Sequence, residues 1–182
     1  MKNRKMSVLT LCLCALFAAL SAVLSQVIIP IGAVPVTFAH ISIFTAAGLL
    51  GAKYGTISQV VFVLMGALGV PVFSQLRGGI SHMLGPTGGY IIGNLGCVLV
   101  AGLIIDRFGI SIKVLVLAML AGYVSTYLFG ISWFMYVTNT GLIAALTGIL
   151  PFLPGEVIKV AVSVLLIKRL YPALQKMGWT KT

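Results

Sequence analysis

Acidic side chains are nearly missing from this 182-residue sequence: Asp106 and Glu156 are its two carboxylates, against 12 Lys and Arg. Charge of either sign is scarce, at 8% of residues, where a soluble domain carries roughly 25%. With 60% hydrophobic residues and a mean hydropathy of +1.16, the chain lacks the polar coat that water requires. Cysteine is sparse as well. Cys12, Cys14 and Cys97 lie inside apolar runs, odd in number and without ligand spacing, which excludes a disulfide framework and a zinc site. No Gly-rich phosphate loop ending in Lys-Ser/Thr is present, no Ser/His/acid set, no pair of metal-binding histidines and no cofactor-binding pattern. These absences argue against an enzyme, so any ATP hydrolysis belongs on another chain. A net charge of +10 raises the question of nucleic acid, but such a footprint needs bases clustered on a wetted face. Here the bases sit at the ends of long apolar runs, and nucleic acid is excluded.

What is present is a series of apolar segments in one integral-membrane domain, residues 1–182. The first, 8–29, follows Lys2, Arg4 and Lys5. Its 22 residues exceed the roughly 7–15 of a signal-peptide core, so it reads as a membrane helix. Further helices are predicted at 38–50, 56–70, 90–105, 112–137 and 156–170. The second ends at the Gly51-Ala52-Lys53-Tyr54-Gly55 break, and a brief helical piece covers 142–150. Helices two and three are short for a hydrocarbon core that takes about 20 residues, a length suited to segments flanking a cavity. The predicted fold is therefore all-α and polytopic, with six transmembrane helices.

Six spans place both termini on one side, and Lys and Arg concentrate in cytoplasmic segments. Lys2, Arg4, Lys5, Lys53, Arg107, Lys113, Lys168, Arg169, Lys176 and Lys181 all fall on the terminal side, and Arg77 alone on the other. The expectation is a multi-pass protein of the cell membrane with both termini cytoplasmic. Segments 30–37, 71–89 and 138–153, rich in Gly and Pro and poor in charge, then face outward.

Glu156 and Lys159 stand three apart, on one face of the last helix. Twelve residues back from Lys168, Glu156 is about 18 Å from the cytoplasmic boundary, in the outer half of the bilayer. Ionisable groups at that depth face a cavity or a partner. Two readings follow: a self-satisfied ion pair, or a ligand site in which Lys159 holds an anionic group and Glu156 accepts N–H donors. Tyr90 and Asn94, four apart just beyond the Gly-rich segment, are candidate polar lining. Arg77 fits either steering of an anionic ligand or contact with lipid phosphate. His40 and His82 are isolated and read as structural. In the first helix, Ala15 with Ala19 and Ala18 with Ala22 form small-residue seams suited to close helix approach, internally or on a partner.

Four runs carry a family resemblance: Pro35-Val36-Thr37-Phe38, Gly69-Val70-Pro71-Val72-Phe73, Gly85-Pro86-Thr87-Gly88-Gly89-Tyr90 and Pro151-Phe152-Leu153-Pro154-Gly155-Glu156-Val157-Ile158-Lys159. In this order they resemble the BioY family, biotin-specific substrate-binding (S) components of energy-coupling factor (ECF) transporters. The resemblance implies a six-helix protein that captures biotin from outside and joins a transmembrane coupling protein and two cytoplasmic ATPases. It also implies that the alanine seam docks on the coupling protein. The chain departs from the family pattern at Glu156, often Asp, at Ala39, often Gln, and at Asn94, often apolar. Glu156 and Asn94 are expected at the ureido ring, and Lys159 at the ureido carbonyl or the carboxylate. An S component for another vitamin is the nearest alternative, and a membrane-embedded enzyme on lipid-like substrates a distant one.

Overall fold

The computed structural model describes residues 7–29 and 36–179. Lys2, Arg4, Lys5, Lys181 and segment 30–35 lie outside the described residues. The long helices are α1 (Val8–Gln26), α2 (Ala39–Ala67), α4 (Gly88–Phe108), α5 (Ile112–Thr138) and α7 (Leu153–Lys176), with short α3 (Ile80–Met83) and α6 (Leu142–Thr147) in the connections. Two 3₁₀ turns, Ser74–Leu76 and Leu150–Phe152, complete the helical part. The remaining regular structure among the described residues is a minimal antiparallel ribbon, β1 (Ile28–Ile29) against β2 (Val36–Thr37), with Ile28 opposite Thr37. Serines open two helices: the Ser7 hydroxyl accepts from the Thr10 amide at 3.1 Å, and the Ser111 hydroxyl from the Val114 amide at 3.3 Å.

Among the described residues, four helices are long and apolar enough to cross a membrane: α1, α2, α4 and α5. The last helix carries Glu156, Lys159, Lys168 and Arg169 and is less apolar. Large apolar residues stand exposed along the outward faces, among them Leu16, Leu64, Leu103, Val124 and Leu165. Exposed apolar surface on this scale marks a face made for lipid or protein rather than water.

α2 is not one helix. At Gly51 the backbone leaves the helical region (φ 76°, ψ −175°), a left-handed φ that favours glycine. In an unbroken helix residues 46 and 55 would lie about 13 Å apart along the axis. Instead, a Cβ at Gly55 would stand 3.2 Å from the Ala46 carbonyl oxygen, so the two halves meet at a corner. The corner strands backbone groups that neighbours then satisfy. The Ala52 amide donates to Asp106 Oδ2 at 2.7 Å, and the Trp179 indole donates to the Leu49 carbonyl oxygen at 2.9 Å. This corrects the sequence reading in detail. Gly51 alone makes the break, the helix resumes at Ala52, and Gly55 lies inside it.

The first half of α2 is the centre of the fold. Residues 42–52 are all buried, against α1, α4, α5 and α7. Three polar residues of this interior, Ser21, Ser42 and Gln59, are paired across helices. Ser21 Oγ lies 2.9 Å from Ser42 Oγ and 3.0 Å from Gln59 Oε1, and the Ser42 hydroxyl donates to the Phe17 carbonyl oxygen at 3.1 Å. Such bonds join α1 to both halves of α2 where no water would serve. Other boundaries also move. α1 ends at Gln26 before the ribbon, α4 starts at Gly88, and α7 starts at Leu153 with Pro154 in its first turn, where a missing N–H costs nothing.

Candidate functional site

Opposite the Gly51 corner, the starts of α2, α4 and α7, the middle of α5 and the segment after α2 enclose a cavity. With its open mouth it holds about 790 Å³ not filled by protein. Glu156, Lys159, Asn94 and Tyr90, chosen from sequence, all line it. Arg77 does not. Exposed, it lines an adjoining groove that shares Ser74, His82 and Thr87 with the cavity, and so stands beside the mouth.

The floor holds the charges. Lys159 Nζ donates to Glu156 Oε1 at 2.8 Å, and the lysine is only 2% exposed. Their spacing on α7 makes the contact, and the first turn of a helix favours the carboxylate. Glu156 Oε2 is buried without a hydrogen-bond partner. The ion pair is therefore formed and incomplete at once: one carboxylate oxygen is spent on Lys159, and the other remains as an acceptor. Asn94 Oδ1 accepts from the Thr126 hydroxyl at 3.2 Å, which leaves the amide NH₂ as a donor. The Tyr90 ring lies against Gly130, where a Cβ would come within 2.3 Å of it.

The walls and mouth are held from several sides. Phe62, Phe73 and Phe152 supply apolar surface, and Phe73 packs edge-on against Phe62 with centroids 5.7 Å apart. Gln26 at the end of α1 ties down the segment after α2. Its Nε2 donates to the Val72 and Phe73 carbonyl oxygens at 3.1 and 2.9 Å, and its Oε1 accepts from the Leu76 amide at 2.9 Å. The Ser25 hydroxyl donates to the Val72 carbonyl oxygen beside it. The Trp133 indole donates to the Gly85 carbonyl oxygen at 2.9 Å, fixing the Gly-Pro-Thr-Gly-Gly run to α5. His82 stacks on Phe73, and burial, then the Arg77 guanidinium, hold its imidazole below the usual histidine range.

Both histidines read as structural from sequence line the cavity, as do Thr37, Thr87, Thr126 and Tyr127. A signal for them existed. Thr37, Phe73, Thr87 and Phe152 lie within the four family-like runs, and His40 is two residues past the first. Along α1 the alanines divide. Ala15 and Ala19 are exposed, whereas Ala18 is buried with Phe62, Val63 and Phe73, and Ala22 packs partly against the same group.

A family model described as the BioY family matches residues 1–176. A probable biotin transporter BioY of Pyrococcus horikoshii is 39% identical over 158 residues, covering 87% of this chain and 93% of that protein. A biotin transporter BioY of Thermotoga maritima is 34% identical over 155 residues, covering 85% and 91%. The crystal structure of an S-component for biotin from an ECF-type ABC transporter superposes with a TM-score of 0.86 at 32% identity, covering 93% of this chain and 94% of that one. The S component of a bacterial ECF transporter, 19% identical, shares the fold with a TM-score of 0.60 over 94% of this chain and 98% of that one.

Proposed function

The chain belongs to the BioY family, and from that premise we propose that it captures extracellular biotin and delivers it across the membrane as the S component of an ECF-type transporter. The observation that carries this reading is the cavity's division into a polar floor and apolar walls. Biotin has a matching division: a ureido ring with two N–H donors and one carbonyl, an apolar bicycle and chain, and a carboxylate. Glu156 Oε2 accepts a ureido N–H, while Lys159 and the Asn94 NH₂ donate to the ureido carbonyl. Phe62, Phe73 and Phe152 bury the bicycle, Tyr90 flanks it, and Arg77 beside the mouth serves the carboxylate. Lys159 is already neutralised by Glu156, which favours Arg77 for that last role.

The chain would cross the membrane six times, through α1, the two halves of α2, α4, α5 and α7, with both termini cytoplasmic. Two supports favour this arrangement: the corner at Gly51 and the sorting of basic residues. Energy would come from two cytoplasmic ATPases acting through a transmembrane coupling protein. Ala15 and Ala19, exposed on α1, are the small residues left for that partner, since Ala18 is used internally.

Equilibrium binding of labelled biotin to the purified protein tests the reading. Glu156→Ala and Lys159→Ala should each weaken binding about a hundredfold or more, since each leaves a desolvated charge unpaired. Wild-type affinity in both variants would overturn the site. Displacement by another unlabelled vitamin, with biotin inert, would reassign the ligand.

A further inference from the structure

Glu156 is not the only side chain at the cavity with a buried polar atom left unpaired. A ureido group presents two N–H donors and a carbonyl oxygen that accepts two bonds. Lys159 and the Asn94 NH₂ fill the carbonyl. Of the acceptors on the floor, Glu156 Oε2 has no protein donor, whereas Oε1 and Asn94 Oδ1 already accept from Lys159 and Thr126. Among the described residues, the other cavity-lining side chain whose buried polar atoms lack a partner is His40, at both ring nitrogens. Buried polar groups are normally hydrogen-bonded, so each exception needs an explanation.

The imidazole is also held in place. Its ring packs 5.0 Å from that of Tyr123 and 5.8 Å from that of Phe44, and those two meet edge-on at 4.8 Å. Phe44 and Tyr123 belong to the main buried core. A ring fixed by core aromatics at a cavity wall beside Asn94, its nitrogens without a hydrogen bond of ordinary geometry, is oriented for something that enters the cavity.

Resting on the biotin reading, we infer that His40 is a ligand-contacting, specificity-determining residue: its unprotonated ring nitrogen accepts one ureido N–H while Glu156 Oε2 accepts the other. A neutral imidazole always offers one such acceptor. Each ureido N–H then meets an acceptor that no protein donor occupies.

The test compares biotin with its two ureido N-methyl derivatives on wild-type protein, His40→Phe and His40→Gln. Phenylalanine keeps the ring and removes the acceptor, whereas glutamine restores one. His40→Phe should bind biotin about ten- to a hundredfold more weakly, the scale expected when a buried donor is left unmade. His40→Gln should recover part of that loss. One N-methyl isomer should be rejected by the wild type and discriminated much less by His40→Phe. The sequence has two histidines, so ¹⁵N-histidine spectra are simple to assign, and biotin should move the His40 ring nitrogens into a single tautomer. Wild-type protein that binds biotin while His40→Phe matches it in affinity and discrimination overturns the inference and leaves the function standing. So does a His40 spectrum unmoved by saturating biotin. Wild-type protein that ignores biotin overturns the functional reading, and this inference falls with it.

Discussion

In the proposed site one buried pair, Lys159 with Glu156, would serve stability and recognition together. Taking two charges out of water costs several kcal/mol each, and their attraction offsets this only while both are present. Removing either partner should cost about 3–5 kcal/mol of stability by stranding the other charge. The double variant Glu156→Gln/Lys159→Met removes both and should unfold at a higher temperature than either Glu156→Ala or Lys159→Ala, measured in detergent micelles, yet it should not bind biotin. A double variant less stable than both singles would show that the pair is not the stabilising unit. The sequence already placed these residues on one face at membrane depth, and that much was legible from spacing. It left open whether they satisfy each other or a ligand. The two carboxylate oxygens answer differently, Oε1 to Lys159 and Oε2 to the cavity, and spacing alone cannot separate oxygens of one side chain. His40 was hidden for a related reason. An isolated histidine near a helix start has no periodic signature, and its significance comes from Asn94, Thr126 and Glu156 on other helices.

The corner in α2 is the element on which the layout turns. It bends the chain where a Cβ would be strained by φ and would press within 2.6 Å of Asp106 Oδ1. Gly51→Ala should therefore destabilise strongly, and Trp179→Phe, which removes the donor to the buried Leu49 carbonyl, by about 1–3 kcal/mol. Unfolding temperatures of the two variants check the order, and a neutral Gly51→Ala would remove the argument for the corner. Most helices were readable from their apolar runs and Gly/Pro breaks, with shifts of a few residues at the ends. The corner's true length was not. Residues 51–55 look like a loop because two glycines bracket a lysine. Gly55, though, is helical, and is small because it packs on Ala46. The groups that make a one-residue corner tolerable, Asp106 and Trp179, lie 54 and 130 residues away from their partners.

At the scale of the molecule, the two ends are chemically unlike. One gathers the Gly51 corner, Asp106 and Trp179, with Lys53 and Arg107 exposed next to them. The other gathers the cavity, the Gly-rich run and Arg77. The proposed topology puts the first in the cytoplasm. With Cys12, Cys14 and Cys97 replaced by serine, a membrane-impermeant thiol reagent added to intact cells should label Arg77→Cys and spare Lys53→Cys. The reverse pattern would invert the orientation. That two ends exist was evident from the sorting of bases. Which outward residues close the mouth was not, because Gln26 and Trp133 hold it through backbone carbonyls that any residue supplies.

The neutrality of the Glu156–Lys159 pair has an electrical consequence. Because the two charges cancel, the filled floor carries no charge of its own, and the loaded chain differs from the empty one by the ligand's single carboxylate. Moving one negative charge into a cell with a negative interior means working against roughly 2.3 kcal/mol for every 100 mV. A cation on the chain, such as Arg77 at the carboxylate, leaves that work unchanged over a full cycle, because its charge returns with the empty chain. On the proposed reading the membrane voltage therefore opposes uptake of the anion, and the opposing work would fall to the coupled ATPases.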